Sequence, residues 1–90
     1  MIKQFKRDVT VAAPITYKVS VFNNPGILVA LTPGSGGTLK AQYRVTAEST
    51  WRDLTSGTVS VYTEELVTKP VDAIKITATV ATGVVEISQA

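Results

Sequence analysis

The side chains that most often do chemistry in proteins are nearly all missing from this 90-residue chain. There is no histidine, which removes the usual general base near neutral pH and the commonest metal ligand. There is no cysteine, so disulfides, thiolate nucleophiles and zinc-finger chemistry are excluded. The acids are Asp8, Glu48, Asp53, Glu64, Glu65, Asp72 and Glu86, and only Glu64 and Glu65 are adjacent. Neighbours on a strand point to opposite faces, so that pair cannot share one acid/base site and reads as a solvated loop pair. The nineteen serine and threonine hydroxyls have no imidazole to activate them, and no motif frames a Ser–Lys dyad. A calcium site needs clustered oxygens in one loop, and Asp53 with Thr55, or Asp72 alone, does not supply them. The sequence therefore predicts no enzyme, no metal and no cofactor.

Two features invite a binding reading. Gly34-Ser35-Gly36-Gly37 resembles a phosphate cradle in composition, but such a loop opens a helix, and here an alternating segment follows. It reads as a flexible hairpin connection. Trp51 and Tyr62 could stack on a sugar ring. The competing reading makes Trp51 a plug at one end of a thin core, a common place for large aromatics, and is preferred.

The elements that would position these residues are strands. Strict alternation recurs and helical spacing does not. In Thr38 to Thr46, Leu39, Ala41, Tyr43 and Val45 oppose Lys40, Gln42, Arg44 and Thr46. The same period of two marks Thr16 to Phe22, Thr58 to Tyr62, Ala73 to Ala81 and Val84 to Ser88. Ile27 to Thr32 is a continuous apolar run, read as a strand buried on both faces or facing a partner. The head of the chain admits two readings: Phe5, Arg7, Val9 and Val11 share a strand parity, whereas residues 1–8 could form an extended arm. A single helical turn is conceivable near Ala47 to Leu54. Turns are expected at Asn23-Asn24-Pro25-Gly26 and Thr55-Ser56-Gly57, and Lys69-Pro70 breaks the chain before the next strand. Ala81-Thr82-Gly83 predicts a hairpin with Gly83 at positive φ. The expected architecture is all-β: one domain over residues 1–90, a small antiparallel β-sandwich or jelly-roll-like barrel of six to seven strands, with no substantial helix.

Composition agrees and narrows the partners. Charged residues are only 18% of the chain, and threonine and valine, both β-branched, fill the difference. A net charge of +2 is too small to argue for nucleic acid. Lys18, Lys40, Arg44 and Lys75 could make a basic stripe with Tyr62 as a stacking aromatic if their strands are neighbours, but lysines also keep strands soluble, and that reading is preferred. No apolar segment follows the basic start as in a signal peptide, and Ile27 to Leu31 is far too short to span a bilayer, so a soluble protein with no membrane partner is expected.

From Leu39 onward one succession of features has a known likeness. Ala41-Gln42-Tyr43-Arg44-Val45 leads to Trp51, then Gly57-Thr58-Val59-Ser60-Val61, Lys69-Pro70-Val71-Asp72, Ala73-Ile74-Lys75-Ile76-Thr77-Ala78 and a terminal Val-Val-Glu-Ile segment. This cadence, over about half the chain, resembles small virion structural proteins of tailed bacteriophages, of the capsid decoration (cement) or head/tail accessory type. The resemblance implies a β-sandwich that catalyses nothing, forms a homo-oligomer, most often a trimer, and bridges major capsid subunits on a particle assembled in the host cytoplasm. It carries over no active-site residues, and the basic head of the chain has no counterpart in it. Partner contacts are expected at Ile2, Lys3, Phe5, Lys6 and Arg7, at the loops holding Asn23, Asn24, Gly34, Ser35 and Gly36, and at Tyr62. The alternative expectation is a carbohydrate- or receptor-binding module of a fibre or tail, with Trp51 and Tyr62 stacking on sugar.

Overall fold

The computed structural model describes residues 3–19 and 26–89. Eight strands follow one another: β1 (Lys3–Thr10), β2 (Ile15–Lys18), β3 (Ile27–Pro33), β4 (Thr38–Arg44), β5 (Arg52–Asp53), β6 (Thr63–Val67), β7 (Ala73–Val80) and β8 (Thr82–Gln89). They form two four-stranded antiparallel sheets, ordered β1-β8-β3-β6 and β2-β7-β4-β5. The chain is thus folded back on itself, β1 against β8, β2 against β7, β3 against β6 and β4 against β5, and the four pairs are rolled into a sandwich. That is the jelly-roll arrangement of eight strands in two sheets.

The alternating segments supply the core. Leu39 and Ala41 of β4, Ile74, Ile76 and Ala78 of β7, Val85 and Ile87 of β8, Tyr17 of β2 and Val9 of β1 are all buried between the sheets. The apolar run of β3 splits by parity: Ile27, Val29 and Leu31 enter the core, while Leu28 and Thr32 face outward. Its outer face is therefore partly open to solvent instead of being buried on both sides. One polar pair crosses the interior, where the Tyr17 hydroxyl donates to Gln89 Oε1 at 2.6 Å and joins β2 to β8. Burial raises the pKa of that phenol, which therefore stays protonated as a donor.

Several local expectations change. Among the described residues there are eight strands, not six or seven. Residues 3–8 do not form a free arm; they are the first part of β1, paired with β8 along its length. Thr58 to Tyr62 is not a regular strand. Val59 makes only an isolated bridge to Leu39 and Val61 is exposed, while the neighbouring β6 carries the ladder with β3. Glu64 and Glu65 consequently lie on a strand and not in a loop, on its opposite sides. Ala47 to Leu54 holds a turn, with Ser49 Oγ accepting from the Thr46 amide at 3.1 Å, and then β5, with no helical turn. Val45 is exposed because β4 ends at Arg44.

Neither expected glycine hairpin forms, because β3 and β4 belong to different sheets, as do β7 and β8. Pro33–Gly37 and Ala81 are corners between sheets, with Ala81 itself at φ 56°. Gly83 is selected by space: a Cβ there would lie 2.9 Å from the Thr32 carbonyl oxygen and 2.7 Å from Leu39 Cδ1. Gly37 likewise packs its backbone on the Thr82 carbonyl, so the loop expected to be flexible is seated on β8.

Candidate interaction faces

The jelly roll presents two outer faces of different chemistry. On the β2-β7-β4-β5 sheet, Lys18, Lys75, Lys40 and Arg44 project from three adjacent strands, so the basic stripe does form, but without Tyr62, which lies on the face of the other sheet. The stripe is partly neutralised from within. Asp72 at the entrance to β7 accepts from Lys18 Nζ at 2.6 Å and from Arg44 Nε at 2.7 Å, and Asp53 lies 3.4 Å from Lys40 Nζ. The Asp72 amide also donates to the Arg44 carbonyl, and its own carbonyl accepts from Val19, so this residue ties β2, β4 and β7 together.

Lys18 first, then Arg44, lowers the Asp72 pKa from its ordinary value of 3.8. A carboxyl whose pKa is depressed by folding stabilises the fold above its unfolded value, and that contribution is lost as pH falls through the folded one. Asp72→Asn is therefore expected to lower Tm at neutral pH, with the gap to the wild type closing as pH is taken below 3.8. Thermal melts across that range check it.

Trp51 lies over the same face. Its ring packs 4.8 Å from the Arg44 guanidinium and 5.6 Å from the Lys75 ammonium, and it is half-buried outside the core cluster. The plug reading is corrected accordingly: Trp51 covers cations. Trp51→Ala is expected to cost about 1 kcal/mol, the scale of cation–π contacts near a surface, and not the roughly 3–5 kcal/mol of an emptied core site. Denaturant titration separates the two.

The β1-β8-β3-β6 sheet is organised differently. Its strand registers set out rows on the outer face: Gln4, Ser88, Leu28 and Leu66 across one, and Lys6, Glu86, Ala30 and Glu64 across the next. A groove of about 450 Å³ runs along this face, floored by Leu28 and Ala30 and bordered by Phe5, Lys6, Tyr62 and Glu86. The Tyr62 hydroxyl donates to Glu64 Oε2 at 2.7 Å; that bond, above all, raises the phenol pKa and keeps it protonated. Tyr62, Leu66 and Leu28 expose 55%, 60% and 37% of their surfaces, so apolar side chains stand beside the row that holds Glu86 and Glu64. Among the described residues, Lys6, Arg7, Asp8, Glu64, Glu65 and Glu86 take part in no ion pair. On the β2-β7-β4-β5 sheet Lys18, Lys40 and Arg44 are ion-paired and Lys75 lies against the Trp51 ring, whereas no ion pair forms on the other sheet among the described residues.

Of the residues singled out from the sequence, the structure brings Phe5, Lys6 and Tyr62 to this one groove. Arg7 lies beside it with its guanidinium 4.6 Å from the Phe5 ring. Gly34 borders a second depression on the same face, with Asp8, Thr32 and Val84, while Ser35 and Gly36 are exposed at the tip of their loop. Lys3 opens β1, and Ile2, Asn23 and Asn24 lie outside the described residues. Trp51 and Tyr62 stand on opposite faces of the sandwich, so they cannot stack on one sugar. Leu66 and Glu86 went unremarked in the sequence as partner residues, and Leu28 figured there only within the Ile27 to Thr32 run read as buried on both faces or facing a partner; its outward parity opposite Ile27, Val29 and Leu31 was the sharper signal. No family model matches the chain, and no curated protein matches it. Among the described residues no group of three or more acids is placed to hold a metal ion.

Proposed function

We propose that this protein is a non-enzymatic docking module that binds a protein surface through the outer face of its β1-β8-β3-β6 sheet, and that its place is the surface of a tailed-phage capsid, as a decoration protein stabilising the shell. The observation that carries the docking part is the contrast between faces. Exposed apolar side chains beside charges that take part in no ion pair are the usual composition of a protein contact. On the opposite face Lys18, Lys40 and Arg44 are ion-paired with Asp53 and Asp72, and Lys75 lies against the Trp51 ring. The phage part rests on the sequence resemblance. The jelly roll is in keeping with it, being common in viral capsid proteins, although lectins share that fold and a fold alone does not fix function.

The test is cosedimentation of the purified protein with capsids of its phage assembled without it. Saturable binding and a higher temperature of capsid disruption are expected. No binding to any capsid maturation state removes the virion assignment. The sugar-binding alternative is disfavoured by the separation of Trp51 from Tyr62, and a glycan array showing binding lost on Trp51→Ala would revive it.

A further inference from the structure

The two free edges of the docking sheet differ in charge. Among the described residues, no strand pairs with the outer edge of β1 or of β6. β1 carries Lys6-Arg7 at its middle, and β6 carries Glu64-Glu65. Every pairing within the sheet is antiparallel, so β1 and β3 run one way and β8 and β6 the other. A second copy set beside the first in the same plane therefore brings its β1 antiparallel to β6, which continues the alternation.

We infer that copies of this chain join head to tail, β6 of one to β1 of the next, so that the β1-β8-β3-β6 sheet becomes continuous across the assembly. The faces match. Lys6 and Glu64 both belong to the outer face, so setting them opposite each other preserves the pleat on both sides. That register places Gln4 across from Leu66 and Arg7 across from Thr63, with Glu65 a diagonal neighbour within reach of the guanidinium. Charges on sheet edges often serve to prevent pairing, and between two β1 edges or two β6 edges they do so here, as like meets like. Only the β1–β6 combination opposes basic residues to acidic ones, so the same side chains that forbid symmetric pairing select the head-to-tail one. Such a contact uses different patches on each copy and closes into a ring or continues as a fibre according to the rotation per step. The continuous sheet would set the apolar strips of successive copies side by side. It shares with the docking proposal only the choice of sheet.

The experiment is sedimentation velocity over a wide concentration range at low and at high salt. The wild type is expected to associate reversibly, and less at high salt because the pairs are exposed. Reversing one edge (Lys6→Glu with Arg7→Glu) or the other (Glu64→Lys with Glu65→Lys) is expected to weaken association by more than about tenfold, as two attractive pairs become repulsive. An equimolar mixture of the two reversed proteins is expected to associate again, because each then presents an edge that fits the other. That rescue excludes misfolding as the cause of the loss. A wild type that stays monomeric at low salt overturns the inference, and so does association indifferent to both reversals. A monomer that still coats capsids would overturn edge joining while leaving the docking face in place, and an edge-joined assembly that ignores capsids would do the reverse.

Discussion

Leu39→Ala is expected to lower the stability of the domain by about 3 kcal/mol, the usual cost of emptying a fully buried leucine site. Leu39 has no exposed surface, and it lies where the two sheets meet. Its backbone exchanges hydrogen bonds with Val59 at 2.7 and 3.0 Å, and its methyl groups fill the space that Gly83 leaves open on β8. Truncation therefore removes packing from both sheets at once. For a domain of this length, 3 kcal/mol corresponds to a fall in Tm of roughly 12–24 °C. Gly83→Ala attacks the same junction from the other side. The added methyl meets the Thr32 carbonyl, which is backbone and cannot swing away, so a cost of about 1–3 kcal/mol is expected. Because the two residues share one space, the substitutions should not be additive, and the double variant should lose less than the two single losses combined. Denaturant midpoints of the three variants measure this directly.

The second large effect concerns binding and not folding. Leu28→Asp together with Leu66→Asp is expected to abolish capsid binding, weakening it by more than about a hundredfold, or roughly 2.7 kcal/mol. The two residues are cross-strand partners in the exposed row on the docking face. New carboxylates there would sit beside Glu64 and Glu86, so the apolar strip would be replaced by a like-charged surface. Tm should change little, since both side chains already face solvent, although the added negative charge is repelled by its neighbours. Lys75→Asp on the opposite sheet is the matching control and should leave binding intact. Retained binding by the Leu28/Leu66 variant with a normal melting curve would show that the contact lies elsewhere.

The sandwich was legible in the chain because alternation is a local signal. Leu39, Ala41, Ile74, Ile76, Val85 and Ile87 all fall on the core face their parity assigned. What alternation cannot convey is which strand lies beside which. Glycine-rich segments at Pro33–Gly37 and Ala81–Gly83 read as hairpins, yet the chain changes sheet at both, since a tight corner and a tight turn require the same residues. β6 was missed because Thr63-Glu64-Glu65-Leu66-Val67 puts two acids in the middle of a strand and only Val67 is deeply buried. The proposed docking face is hidden from the sequence by the same gap. Phe5, Lys6 and Tyr62 were singled out separately, but their convergence on one groove depends on β1, β8, β3 and β6 lying side by side, pairings that span most of the chain. Trp51 was misplaced for a related reason: its partners Arg44 and Lys75 are recognisable only once β4 and β7 are known to be neighbours.

The proposed docking of the β1-β8-β3-β6 face on a capsid has two parts, which face is used and what it meets. An electron cryomicroscopy map of capsids saturated with the protein tests both parts at once. Density is expected for the module on the shell with Leu28, Tyr62 and Leu66 against capsid subunits and Trp51 directed to solvent. A map with Trp51 and the β2-β7-β4-β5 sheet against the shell, or capsids that carry no module at saturating concentration, would contradict it.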